Sequence, residues 1–235
     1  MFAARNARSR ELFRALQQYC AGNVLDVGGR DFYSIAKAKT LDFHQWTNLE
    51  YSVNHVLTLE DNNLRTVLGD GCCLPFISNT FDTVLNIQVL EHVMEPLKMM
   101  AEMSRVLKPG GRGVLLIPQT SVPHELPHHY YNLTRFWIKE AAKRNAFEIL
   151  ELKPLGGVWS TLASHLVYFF FQSVRAKGYS MPECKRNWLF YLLYPFMVLY
   201  AFIHIPICMI FSLGDLTEDP NNHLVVLEKR VAPAS

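Results

Sequence analysis

Residues 24–30 read Val-Leu-Asp-Val-Gly-Gly-Arg, a short apolar run that ends in two glycines. Such a run is typical of a buried parallel strand that enters a tight turn. Further apolar runs follow along the chain and alternate with segments of helical periodicity. Alternation of this kind predicts an α/β domain whose ligands bind at the carboxyl ends of the strands.

The remaining elements can be placed from the same patterns. Six more strands are predicted at Trp46–Glu50, Val67–Leu68, Phe81–Ile87, Gly113–Ile117, Phe147–Leu152 and His223–Lys229. Helices are predicted from the N-terminus to about Cys20, at Val89–Val106 and at Ile138–Asn145. The predicted fold is a Rossmann-like, doubly wound seven-stranded sheet with a hydrophobic helical insertion before the last strand. We divide the chain into a core (1–157), the insertion (158–213) and a last strand with a tail (214–235).

Composition limits the classes of function. Of the 235 residues half are hydrophobic and 19% are charged, and the net charge is only +2, which argues against a dedicated nucleic-acid binder. The five cysteines show no metal-ligand spacing and indicate free thiols in a reducing compartment. The N-terminal segment lacks the apolar core of a signal peptide, so a cytoplasmic location is expected.

Acidic residues follow three successive predicted strands. Asp26 precedes the glycines, Glu50 ends the second strand, and Asp70 follows the third. Each alone is a common turn residue, but together they favour a nucleotide site, in which the second carboxylate accepts from ribose hydroxyls. The G-x-G-x-x-G pattern of dinucleotide-dependent oxidoreductases is missing, which disfavours that class.

Five motifs are similar to those of the type 11 class I methyltransferases, in order and spacing. They are VLDVGGR (24–30), GDGCCLPF (69–76), FDTVLNIQVLEHV (81–93), VLKPGGR (106–112) and PHELPHHYYNLTRFW (123–137). The resemblance covers about residues 20 to 165. It implies S-adenosylmethionine (SAM) as the cofactor and is silent on the acceptor.

The resemblance also implies roles for residues. The methionine part of SAM would face Asp26, Val27, Gly28, Gly29 and Arg30; the ribose would face Glu50 and Tyr51; the adenine would face Asp70, Gly71 and Cys72; and Gln88 would lie near the sulfonium. Arg30 departs from the family, which usually has a second loop glycine there. The loop therefore either takes a different shape or meets the SAM carboxylate through the guanidinium.

Candidate acceptor residues follow the fifth strand. We predict His124, with Glu125, as the catalytic pair: His124 acts as general base or orients the acceptor. The alternative is that His124, Glu125, Tyr130 and Tyr131 brace a lid loop. His92, His128, Tyr130 and Tyr131 are the predicted substrate contacts, with His92 and Glu91 opening the helix after the fourth strand. No metal site is expected, because no cysteine or carboxylate set completes His124, His128 and His129.

Residues 188–213 contain no charged side chain and are long enough to cross a bilayer. Three arrangements remain open: a hairpin with Leu162–Val174 that dips into a membrane, an interfacial element broken by Pro195 and Pro206, or helices packed as an extra layer or a dimer interface. Of these, we favour shallow insertion. Basic residues between the two runs would meet lipid headgroups: Arg175, Lys177, Lys185 and Arg186.

The sequence therefore predicts a SAM-dependent methyltransferase on the cytoplasmic face of a membrane, with peripheral or monotopic contact through 158–213. The acceptor is a small molecule or is lipid-linked, for instance through a polyprenyl sugar or a quinone-like head group, and oxygen is the first candidate atom. The competing prediction is a non-catalytic SAM-binding or membrane-associated scaffold protein. The oligomeric state is left open.

Overall fold

A computed structural model describes residues 2–56, 59–173 and 186–231, with side chains from Ser9 onward. Its seven strands form one sheet in the order β3-β2-β1-β4-β5-β7-β6. The strands are β1 (Asn23–Val27), β2 (Gln45–Glu50), β3 (Leu64–Leu68), β4 (Phe81–Ile87), β5 (Leu107–Pro118), β6 (Phe147–Leu155) and β7 (Asn222–Lys229). Neighbours among β1–β5 are parallel, and β7 is antiparallel to both β5 and β6. The predicted seven-stranded α/β fold is confirmed.

Helices cover both faces of the sheet. They are α1 (Phe2–Tyr19), α2 (Phe32–Ala38), α3 (Pro96–Val106), α4 (Arg135–Arg144), α5 (Val158–Ser173) and α6 (Trp188–Phe211). Leu25 points into a core built with α3 and α4, and its neighbour Val24 points into a second core built with α1 and α2. Alternate residues of a buried strand thus serve opposite layers, which explains why the buried part of β1 is apolar except at Asp26.

The helix after β4 begins later than predicted. Residues 90–92 form a single 3₁₀ turn, and α3 starts only at Pro96. Proline disfavours helical backbone at the preceding residue, and Glu95 accordingly lies outside the helical region with φ −119° and ψ 64°. Proline itself is well suited to the first helical position. The prediction that Glu91 and His92 open this helix was therefore wrong, and both lie in the turn before it.

Helices α5 and α6 form an antiparallel hairpin before β7. Trp159 near the start of α5 packs against Phe211 at the end of α6, with ring centroids 4.9 Å apart. At the other end, Ser173 Oγ lies 3.2 Å from Tyr194 Oη. The Asp215 carboxylate, after α6, accepts hydrogen bonds from two backbone N–H groups in the first turn of α5, at 2.7 and 2.9 Å.

Helix α6 is continuous, contrary to the prediction that Pro195 and Pro206 break it. Both prolines lie on the exposed side of the hairpin, where the backbone carbonyl groups that they leave without a donor are open to water. Only Ala201 and Cys208 are buried, whereas Phe196 is 69% and Phe202 71% exposed. Residues 188–214 are the one described helix long and apolar enough to span a membrane, which by itself is weak evidence for a span. The helices do not form a buried extra layer of the domain.

Arg186 lies just before α6 and contacts the end of α5. Its guanidinium donates to the carbonyl oxygens of Gln172 and Ser173 at the end of α5, at 3.0 and 3.1 Å. It thereby satisfies backbone acceptors that the helix end leaves free. Arg175, Lys177 and Lys185, predicted as headgroup contacts, lie outside the described residues.

Candidate active site

The turn after β1 can be built only from small residues. Gly28 has φ +75°, a conformation that L side chains rarely adopt, and a Cβ there would meet Val89 at 2.9 Å. A Cβ on Gly29 would overlap the Asp26 carboxylate and come within 2.5 Å of Asn48 Oδ1. The backbone of this loop therefore lies directly on the polar side chains at the ends of β1 and β2.

Asp26 is fully buried beneath the loop. Burial, with a smaller contribution from the Glu50 charge, raises its pKa to about 8, against a slight lowering by the Trp46 side chain. In the absence of a cation this carboxyl group holds its proton at neutral pH. It is ready to ionise when a positively charged ligand arrives.

Glu50 anchors Arg30 of the same loop. Its Oε1 accepts from the Arg30 backbone N–H at 2.6 Å and from Asn48 Nδ2 at 3.2 Å. Its Oε2 lies 4.0 Å from His55 Nδ1 and accepts no hydrogen bond from the described residues. Burial raises the pKa of Glu50, although the bond from Arg30 opposes the shift. One oxygen thus holds the loop while the other stays available.

Asp70 lies at the third strand end, as predicted, and shapes its own turn. Its Oδ1 accepts from the Cys72 backbone N–H at 2.8 Å, while the residue as a whole is exposed. Cys72 is buried, and a Cβ on Gly71 would overlap Met99. Tyr51 is 85% exposed next to Glu50. The carboxyl ends of β1, β2 and β3 therefore carry the predicted acidic residues along one edge of the sheet.

The segment between β5 and α4 lies over this edge. Glu125 Oε2 accepts from Arg30 Nη2 at 2.6 Å, which joins the segment to the glycine turn. The backbone N–H groups of Tyr130 and Tyr131 both donate to the Glu91 carbonyl oxygen, at 2.8 and 3.3 Å. Glu125, Tyr130 and Tyr131 thus connect this segment to the glycine turn and to the turn after β4, whereas a brace of a lid loop by these residues and His124 stays a prediction.

The histidines of this region separate into two groups. His92, His124 and His129 place their rings together, whereas His128 is exposed and bonds Tyr130 Oη at 2.8 Å. The sequence grouped His124 with His128 and His129 and could not place His92 beside them. His129 was missed as a site residue.

A cavity of about 710 Å³ opens beside this segment. Gln88 and His124 line one wall, and α5 and the end of α6 form much of the other. Gln88 Nε2 donates to Asn222 Oδ1 at 3.2 Å, which connects the ends of β4 and β7. The cavity therefore joins the carboxyl edge of the sheet to the hydrophobic hairpin.

Two asparagines belong to the site and were not predicted. Asn48 is buried, lies two residues before Glu50 on the same face of β2, and pairs in register with Asp26. Its Nδ2 also donates to the Arg30 carbonyl oxygen at 3.0 Å. Asn222 at the start of β7 is the other. The two-residue strand period, applied backwards from Glu50, is the signal that could have found Asn48.

The architecture fits a nucleoside cofactor with a positively charged group. The glycine turn admits close approach, Glu50 offers a free carboxylate oxygen, and the buried Asp26 carboxyl awaits a cation. The guanidinium of Arg30, the departure from the pattern that the resemblance implies, is paired with Glu125.

Comparison with known proteins agrees with this arrangement. Residues 25–115 match the type 11 family model described as a methyltransferase domain. Demethylmenaquinone methyltransferase of Staphylococcus haemolyticus (strain JCSC1435) is 39% identical over 97 residues, 39% of this chain and 40% of the relative. The match thus spans well under half of that relative's length.

Two solved structures share the fold over almost the whole chain. The [4+2]-cyclase SpnF has a TM-score of 0.58 at 18% identity and covers 96% of this chain and 81% of its own. Phosphoethanolamine N-methyltransferase 2 of Haemonchus contortus, solved with S-adenosylhomocysteine, has a TM-score of 0.58 at 17% identity and covers 95% and 53%. The sequence match is therefore to a methyltransferase domain over residues 25–115, and the two solved structures, at under 25% identity, show the shared fold.

Proposed function

We propose that this chain is a methyltransferase of the type 11 family and that it transfers the methyl group of SAM to a lipid-linked acceptor whose head group lies in the cavity beside Gln88 and His124. SAM supplies an activated methyl group, and the protein has to align the acceptor with it and exclude water. We assign the methionine part to the glycine turn with Asp26, the ribose to Glu50, and the adenine to the turn at Asp70.

The cavity is the observation that carries this proposal. Its polar end includes Gln88, Thr120 and His124, next to the edge where the cofactor residues lie. Its other wall is apolar in part, although Ser164, His165 and Ser212 also line it. The apolar residues come from α5, the end of α6 and the 3₁₀ turn that follows: Ala163, Val167, Tyr168, Phe171, Met209 and Leu213. A head group at the polar end would place an attached hydrocarbon chain along the hairpin.

The hairpin supports a membrane-bound acceptor. Its outer surface is apolar and widely exposed, which in water is costly and in a lipid interface is favourable. The relative from Staphylococcus haemolyticus is named for a quinone acceptor. A quinone-like head group is therefore the first acceptor to test, and oxygen is the first acceptor atom. The proposal places the protein at the cytoplasmic face of a membrane.

His124 is our candidate for the base that a hydroxyl acceptor requires. It and His165 are the two imidazoles of the described residues that line the cavity; His165 lies on α5, whereas His124 follows β5, at the edge of the sheet where the cofactor residues lie. His124→Ala should lower methyl transfer about 100-fold or more and leave SAM affinity within about twofold. Full activity of this variant would sink the assignment.

The cofactor site is tested by calorimetric titration of SAM and S-adenosylhomocysteine. Glu50→Ala should abolish measurable binding, because it removes both the loop anchor and the free carboxylate oxygen. Glu60→Ala, which removes an exposed carboxylate outside the site, is the matched control and should bind like the wild type. Absence of binding to folded wild type would overturn the proposal.

The acceptor is tested separately with demethylmenaquinone that has been chemically reduced to its quinol form, which carries the hydroxyl groups that the transfer requires, in liposomes with radiolabelled SAM. Methylated lipid from the wild type and none from Glu50→Ala is the expected result. SAM binding without transfer to this lipid would remove the quinone assignment and leave the cofactor site standing.

Membrane contact is tested by liposome flotation. Phe196→Glu combined with Phe202→Glu should release the protein, because each places a charge on the exposed face of α6. Phe136→Glu is the matched control, since Phe136 is 74% exposed but lies on α4. Equal flotation of all three proteins would contradict the proposed contact.

One observation favours the non-catalytic alternative. Arg30 is bound through its backbone to Glu50 and through its side chain to Glu125, so the glycine turn is tied on both sides. If these bonds close the pocket, neither SAM nor S-adenosylhomocysteine binds to the wild type, whereas both bind once Arg30 is replaced by glycine.

A further inference from the structure

Three histidine rings converge beside the cavity. His92 comes from the 3₁₀ turn after β4, and His124 and His129 come from the segment between β5 and α4. Each offers a ring nitrogen, and these three atoms lie within 4.8 Å of one another. The rings stand nearly perpendicular in each pair, with centroids 4.6 to 5.6 Å apart. All three residues are half-buried, so this is not a chance meeting of surface side chains.

Hydrogen bonds orient two of the rings. His92 Nδ1 lies 2.6 Å from the His128 carbonyl oxygen, so it carries the proton and leaves the Nε2 lone pair free. His124 Nδ1 lies 3.0 Å from the Val122 carbonyl oxygen. A ring N–H bound to a backbone carbonyl is the usual outer contact of a metal-binding histidine.

In the described part of the chain, the three imidazoles leave one buried ring nitrogen without a hydrogen-bond partner. His129 Nε2 is buried and has no hydrogen-bond partner among the described residues. Buried polar atoms without partners are rare in proteins, and a bound ion is one way in which such an atom is satisfied.

A buried carboxyl group adjoins the cluster. Glu91 Oε1 lies 3.8 Å from His92 Nε2, and neither of its side-chain oxygens has a hydrogen-bond partner within the described parts of the chain. A divalent cation among the three rings would supply the positive charge that this group lacks.

We propose that His92, His124 and His129 bind one divalent transition-metal ion, with zinc as the ion of choice and Glu91 as the neighbouring carboxylate. Three imidazoles are an established ligand set for zinc, with Zn–N distances of about 2.0–2.1 Å and a fourth position open. Nitrogens in such a tetrahedron lie about 3.3–3.4 Å apart. The ring nitrogens that the three residues offer lie within 4.8 Å of one another, so side-chain rotations are needed to bring them to this spacing.

The metal site has a consequence for methyl transfer, and this consequence rests on the proposed function, whereas the site itself does not. His124 also lines the cavity, so an acceptor oxygen there could occupy the open position. A nitrogen lone pair that binds metal cannot also accept a proton. With the metal bound, His124 would be a ligand and not a base. The ion would then lower the pKa of the acceptor oxygen at the open position, which is the effect that a base would otherwise have to supply.

The test uses full-length protein without a polyhistidine tag, stripped with a chelator and titrated with Zn²⁺ against a chromophoric competitor. One zinc per chain at micromolar or tighter affinity is expected. His129→Ala should weaken binding by more than about 100-fold, and Glu91→Gln by about 10–100-fold, as for an outer contact. His128→Ala is the matched control and should bind like the wild type, because its ring lies outside the cluster.

Two further measurements keep the test decisive. Co²⁺ should give the intense visible absorption of a tetrahedral site in the wild type and lose it in His92→Ala. S-adenosylhomocysteine affinity and thermal unfolding show whether each variant is folded. Folded wild type that binds no stoichiometric zinc, or equal binding by His129→Ala and His128→Ala, would overturn the site. Neither result depends on methyl transfer, so failure of the metal site and failure of the proposed function are distinguishable.

Discussion

Replacement of Asp26 by asparagine should stabilise the cofactor-free protein in a pH-dependent way. Asp26 is fully buried, and its pKa is raised from 3.8 to about 8, chiefly by burial. The folded protein therefore keeps a proton that the unfolded chain loses above pH 3.8. Because the unfolded state binds fewer protons in this window, stability falls as pH rises, by about 1.4 kcal/mol per pH unit. Asparagine has nearly the same shape and does not ionise, so the variant avoids this cost.

The magnitude can be measured as a difference between pH 5 and pH 8, which both lie inside the window from 3.8 to about 8. Over that interval the stability advantage of Asp26→Asn should grow by about 4 kcal/mol, and it should level off above pH 8. The assay is urea unfolding followed by circular dichroism. Asp31→Asn, at an exposed position after the glycine turn, is the control and should show no such growth. An advantage that is equal at pH 5 and pH 8 would refute the reasoning.

The same variant also tests whether Asp26 contacts SAM. If Asp26 meets the cationic part of SAM, loss of its charge should weaken SAM binding about tenfold or more, since a hydrogen bond to a charged group is worth about 1.5–3 kcal/mol. A variant that is more stable and binds SAM less tightly is the expected combination. Unchanged SAM affinity would remove Asp26 from the site.

Four further substitutions, at three places in the structure, probe the surroundings. Gly29→Ala places a methyl group on the carboxylate beneath the loop and should cost about 1–3 kcal/mol in urea unfolding; an unchanged midpoint would contradict the close approach. Asp215→Ala removes the cap of α5 and should cost about 1–2 kcal/mol, whereas exposed Glu218→Ala should cost nothing measurable; equal losses would argue against the cap. Arg30→Ala and Glu125→Ala should each change the free energy of unfolding by less than about 1 kcal/mol, because the ion pair is exposed. In calorimetry both variants should change the SAM affinity by the same factor. Unequal factors would mean that the two residues do not act as one unit.

A shared fold does not settle the chemistry. The chain has the same fold as a methyltransferase solved with S-adenosylhomocysteine and as a cyclase, at nearly equal TM-scores. Function belongs to sites that are built on folds, so the activity must be argued from the residues at the strand ends and in the cavity. Calorimetry on Glu50→Ala tests the residues at the strand ends, and the liposome assay tests the residues in the cavity.

The sequence by itself determined the features that depend on local pattern. Three strands are present as predicted. They are the strand that contains Asp26 and leads into the two glycines, the strand that ends at Glu50, and the strand Phe81–Ile87. A buried strand needs a continuous apolar run, and a turn over a ligand needs glycine, so both leave marks in consecutive residues. The order of the acidic residues along one edge then follows from the parallel arrangement of the strands.

Only the tertiary structure decided which distant side chains meet. His92 joins His124 and His129 because the segment after β5 folds back over the turn after β4, and no local pattern records that contact. The ion pair between Arg30 and Glu125 has the same origin. The continuity of α6 through Pro195 and Pro206 also depends on its surroundings, because a proline breaks a helix only where the backbone groups that it frees cannot be satisfied. Local propensity is written in neighbouring residues, whereas these contacts depend on how the whole chain packs.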